Sequence, residues 1–67
     1  MRDPNRLDNI YEQMCKDHKE VVPDWRMGQL LLNFMGDYVN THGQDPFYIE
    51  DSKFMEAWND FIKRMKG

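Results

Sequence analysis

Pro23-Asp24-Trp25-Arg26-Met27-Gly28-Gln29-Leu30-Leu31-Leu32-Asn33 is the stretch that decides the fold. It opens with a helix-start signal and runs into the densest apolar segment of the chain. Asp24 supplies a side-chain acceptor of the kind that caps a helix N-terminus, so a second helix is expected from Trp25. At about 100° per residue, Trp25, Met27, Leu30, Leu31, Leu32, Phe34, Met35, Tyr38 and Val39 share an arc wider than half the cylinder. Only Arg26, Gln29, Asn33, Asp37 and Asn40 form a polar stripe. A surface helix carries a narrower apolar face, so this helix is expected to be central and packed on several sides. Gly28 lies in the arc, where glycine costs about 1 kcal/mol against alanine, and a close helix–helix approach is the expected offset. Gly36 is one possible C-cap, but the phase of Tyr38 and Val39 favours continuation to Asn40 or Thr41, with Gly43 as the stop.

Outward from that helix, two more follow from the same punctuation. Asp3-Pro4 is a helix opening, an acceptor followed by a residue whose missing N–H costs nothing in the first turn. Leu7, Ile10, Tyr11, Met14 and His18 then recur on one face, while Asp8, Glu12, Gln13, Lys16 and Asp17 lie elsewhere. The first helix is expected over 4–18, and Val21-Val22-Pro23 reads as an extended link, since a residue before proline avoids the α region. Gln44-Asp45-Pro46 is a turn, and Phe47-Tyr48-Ile49 reads as a short extended apolar segment folded back over the bundle. Asp51 or Ser52 caps the third helix, whose face is Phe54, Trp58, Phe61, Ile62 and Met65. Its acidic start and basic end (Lys63, Arg64, Lys66) suit the helix dipole. The expectation is a single all-α domain over 1–67, a compact three-helix bundle with helix two central.

Composition limits function. A chain of 67 residues has room for one core, yet it carries nine aromatics and six methionines. Either the core is dense or some of these side chains meet a partner, a second copy of the chain included. One cysteine, Cys15, excludes an internal disulfide and a cysteine-rich zinc site and fits a reducing cytoplasm. No signal-peptide pattern opens the chain, and no run approaches the roughly 20 apolar residues of a membrane span. A net charge of −3 argues against a dedicated nucleic-acid binder.

Three blocks carry a family resemblance. Asp3-Pro4-Asn5-Arg6-Leu7, Pro23-Asp24-Trp25-Arg26-Met27-Gly28-Gln29-Leu30-Leu31 and Asp45-Pro46-Phe47-Tyr48-Ile49-Glu50-Asp51 occur in that order. They resemble a family of short uncharacterised bacterial and phage proteins with Asp-Pro-x-Arg-Ile, Pro-Asp-x-Arg-x-Gly-Gln-Leu and Phe-Tyr-x-Glu-Asp blocks. The chain departs from that pattern in a longer Gly36–Gln44 connection and in Trp25 and Met27, where aliphatic residues are usual. The resemblance implies a small helical protein and brings no activity.

Candidate sites are few. Arg26, Gln29 and Asn33 form a polar stripe that could hold a carboxylate or phosphate, but the preferred reading is structural. A cation in a helix's first turn opposes the dipole, so Arg26 is expected to clasp Glu50 or Asp51. Tyr48 and Trp58, with Tyr11, Trp25 and Tyr38, are core by period, yet Tyr and Trp also anchor interfaces. Any of them found exposed marks a partner face. Cys15 and His18 lie one turn apart without an orienting third group, which favours coincidence over a thiolate–imidazole pair. No cofactor site, metal-ligand spacing, phosphate loop or serine-nucleophile motif stands out. Lys53, Lys63, Arg64 and Lys66 read as a solvated helix end. The expected function is a non-enzymatic protein-interaction module of a bacterial or phage cytoplasm, one form being a phage protein that occupies a host protein. The alternative is a small nucleic-acid-binding helical domain.

Overall fold

Pro23 sets the first boundary. It holds Val22 outside the α region (φ −136°, ψ 57°), so the first helix stops at the last residue free to be helical. The computed structural model describes residues 2–67. It shows α1 (Arg6–Val21), α2 (Met27–His42), a single 3₁₀ turn (Pro46–Tyr48) and α3 (Asp51–Lys66), an all-α three-helix bundle. The described residues contain no strand.

The predicted starts are close, and each difference has a local cause. The N-cap of α1 is Asn5, not Asp3, whose carboxylate instead accepts the Asn5 N–H at 3.0 Å ahead of the helix. The first turn is 3₁₀, with Arg6 and Leu7 bonded to the carbonyls of Asp3 and Pro4, so the regular helix begins at Arg6 and runs to Val21 rather than over 4–18. Asp24 does not cap α2. A turn closes on Trp25, whose N–H donates to the Val22 carbonyl at 3.1 Å. The Trp25 carbonyl is taken by His18 Nε2–H at 2.7 Å, and the extended Arg26 becomes the N-cap. α2 ends where expected, at Gly43 with φ 65°, whose N–H donates to the Val39 carbonyl. Glu50, not Asp51 or Ser52, is the N-cap of α3.

The segment before α3 is not extended. Asp45 accepts the Phe47 N–H at 3.0 Å and tightens the chain into the 3₁₀ turn. That turn points Phe47 (82% exposed) and Tyr48 (79%) outward, and only Ile49 packs against the core.

The core consists of Leu30, Phe34 and Tyr38 from α2 with Ala57, Trp58, Phe61 and Ile62 from α3. Phe34 is its middle. Its ring meets the edges or faces of Phe54 and Trp58 at 5.2 Å and of Phe61 at 5.5 Å, all at steep angles. The element that packs broadly on both others is nevertheless α3, not α2. α1 contributes one buried residue, Asp17, whose carboxylate accepts Trp58 Nε1–H at 2.8 Å. Ion pairs complete the frame: Arg6 with Asp51 at 2.7 Å, Arg2 with Glu50 at 2.9 Å, and Arg64 with Asp37.

The expected close approach at Gly28 is absent. A Cβ built there meets nothing within 4 Å among the described residues, because the glycine faces solvent in the first turn of α2. Gly28→Ala is therefore expected to stabilise the fold by about 0.5–1 kcal/mol. That corresponds to a rise of roughly 2–8 °C in Tm for a domain of this size, read by dilute thermal denaturation.

Candidate functional site

α3 packs on both other helices, and a seam runs between α1 and α2. Leu7, Ile10, Tyr11 and Met14 of α1 form one wall, and Met27 and Leu31 of α2 form the other. Leu30 and Phe54 lie beneath, and the groove encloses about 630 Å³. The helical period of α1 explains this wall. Leu7, Ile10 and Met14 recur at three- and four-residue spacing, and Tyr11 flanks them on the outer side.

Two polar side chains of the groove are engaged within the fold. Asp51 is bound by Arg6, and His18 donates to the Trp25 carbonyl. His18 is thereby committed to holding the α1–α2 corner rather than activating the exposed Cys15. Lys19 is the one lining cation without an ion-pair partner among the described residues. Tyr11 and Met27 are both more than half exposed on the walls, an uncommon placement for large apolar side chains without a partner.

A second depression of about 720 Å³ lies between the C-terminal end of α2, the 3₁₀ turn and α3. Its chemistry is largely satisfied internally. Asp45 caps the turn, Glu50 takes Arg2, and Glu56 pairs with Lys53 at 3.3 Å.

The residues singled out in sequence scatter. Arg26, Gln29 and Asn33 are all exposed, so the stripe exists, but Arg26 does not clasp Glu50 or Asp51. Arg2 and Arg6 do that instead, because the N-terminal turn of α1, not that of α2, lies beside the start of α3. Trp58 is 0% exposed and belongs to the core, so it cannot touch a partner. Tyr48 is exposed, beside the second depression and away from the groove. Their spacing gives Leu7, Ile10 and Met14 only as a core face; the signal that singles them out is that the apolar faces of three helices exceed what three helices can mutually cover.

Among the described residues no three His, Cys, Asp or Glu side chains could hold a metal ion. No helix is long and apolar enough to cross a membrane. No protein family, curated protein or solved structure matches the chain.

Proposed function

We propose that this chain is a non-enzymatic protein-interaction module whose α1–α2 groove receives one apolar face of a helix from a partner protein. The observation that carries this reading is the groove itself, an apolar seam in the position a fourth helix occupies in a bundle. Leu7 to His18 rises about 16 Å along α1, three turns of helix, which matches an amphipathic segment laid lengthwise. Met14 and Met27 supply unbranched, polarizable side chains that adapt to a partner's contours. Lys19 favours an acidic residue on the partner near the C-terminal end of α1. A bacterial or phage cytoplasm, including occupation of a host protein by a phage protein, belongs to this proposal and rests on the three sequence blocks quoted above.

The nucleic-acid reading is the weaker one. Arg64 is held by Asp37, which leaves Lys63 and Lys66 as a small basic end. Phosphate binding takes a broader cluster.

A photo-reactive residue in place of Tyr11, used in cell lysate with mapping of the attached peptide, tests the proposal. The expected result is attachment to one apolar helical segment, abolished by Met14→Asp in a variant that keeps its helical spectrum. Attachment no greater or more selective than that of the same probe at Lys66 contradicts it.

A further inference from the structure

The outer face of α2 presents a second surface, separate from the groove. The wide apolar arc of this helix is only half used by the core: Leu30, Phe34 and Tyr38 turn inward, whereas Leu32 (75% exposed) and Val39 (45%) turn outward with Gly28 and Gly36. Met35, half-buried, borders that outward stripe. Nothing meets a Cβ at Gly28 or Gly36 among the described residues. The face is also uncharged. In a chain that is 31% charged, α2 contains a single Asp, Glu, Lys or Arg, namely Asp37, and Arg64 pairs with it.

We propose that this face is a self-association surface, on which α2 of a second copy packs antiparallel about a two-fold axis between Met35 and Gly36. Three observations favour a second copy as the occupant. An isologous contact sets each residue near its own kind or its symmetry mate, so a charged face would repel itself, and this face carries no such cost. The axis places Leu32 opposite the partner's Val39, apolar on apolar, with Gly36 at the crossing point, where the missing side chain lets the helices close. Antiparallel packing also brings the start of α2, where Arg26 is exposed and without an ion-pair partner among the described residues, to the end of the partner's α2, beyond which Asp45 is exposed while capping its own 3₁₀ turn. There the cation meets a carboxylate together with the negative end of the helix dipole. Gln29, Asn33 and Asn40 flank the stripe on one side, and two-fold symmetry brings these amides against their counterparts as a neutral hydrogen-bonding rim. The polar stripe read in the sequence thus becomes the edge of an interface. A single helix pair is a small contact, so the association is weak and reversible.

The test is cysteine cross-linking in a Cys15→Ser background, with sedimentation at rising concentration. Gly36→Cys is expected to form a disulfide with its own copy. Leu32→Cys is not, since the two Leu32 positions are separated by about 10 Å along the axis, but it is expected to pair with Val39→Cys in a mixture. Leu32→Glu, at an exposed position that leaves the fold intact, weakens association about tenfold or more, and Arg26→Glu weakens it a few-fold in a salt-dependent manner. A chain that stays monomeric at millimolar concentration overturns the proposal. So does Leu32→Cys self-linking as readily as Gly36→Cys, or association that survives Leu32→Glu. Because Met14 is not on this face, Met14→Asp leaves self-association unchanged, so failure here and failure of the groove proposal are distinguishable.

Discussion

Phe34→Ala leaves the chain largely unfolded at 25 °C. Phe34 is fully enclosed and contacts Phe54, Trp58 and Phe61 at once, so its truncation removes three aromatic pairs and leaves a cavity bounded by rigid rings. Phe→Ala in a core costs about 3–5 kcal/mol. A single core in a domain this small rarely supplies more than about 3–5 kcal/mol of net stability, so the loss matches the whole. Far-UV circular dichroism and the tryptophan emission of the buried Trp58 read it directly. The matched control is Leu32→Ala on the outward face of the same helix, measured on dilute protein, where a change within about 0.5 kcal/mol is expected. Cooperative unfolding of Phe34→Ala with a loss below about 1 kcal/mol would mean the aromatic centre has been misplaced.

The second large effect lies in the Asp17–Trp58 hydrogen bond. Asp17 is the only buried residue of α1, and it fixes that helix to α3 through a buried indole N–H at 2.8 Å. Asp17→Ala strands the Trp58 N–H in the core, and Trp58→Phe strands the carboxylate while keeping an aromatic ring of smaller size in the core. Each is expected to cost about 1.5–3 kcal/mol, since the bond involves a charged acceptor and its loss leaves a buried polar group unsatisfied. The double variant costs clearly less than the two singles together, because neither partner is then left behind. Chemical denaturation of the four proteins measures this coupling. Strict additivity would show that the two side chains act independently and that α1 is held by other contacts.

Periodicity and punctuation make the helices legible. Asp3-Pro4, Val22-Pro23 and Gly43 act at the ends because they alter local backbone chemistry, which needs no knowledge of the rest of the fold. Tertiary roles are another matter. Asp17 sits on the polar side of α1 by any count of hydropathy, and only the need of a buried indole for an acceptor brings it inside. Arg26 is the cation a dipole argument expects to be neutralised, yet Arg2 and Arg6 reach Glu50 and Asp51 first, a choice set by which helix ends lie together. The breadth of the α2 apolar arc was visible, but breadth alone does not say who covers it. The arc implied neighbours on several sides, and among the described residues the chain supplies chiefly α3 and the 3₁₀ turn. The groove is hidden for the same reason, since Leu7, Ile10 and Met14 have the spacing of an ordinary core face.

The groove between α1 and α2 as a seat for a partner helix is the central claim, and methyl-resolved NMR tests it most directly. The segment captured through Tyr11 would be synthesised as a peptide and added to protein labelled at Leu, Val, Ile and Met methyls. The methyls of Leu7, Ile10, Met14 and Leu31 are expected to shift together and saturably, with Leu32 and Val39 unmoved. Shifts confined to Leu32 and Val39, or to the C-terminal end of α3, with the groove methyls unchanged, would contradict it.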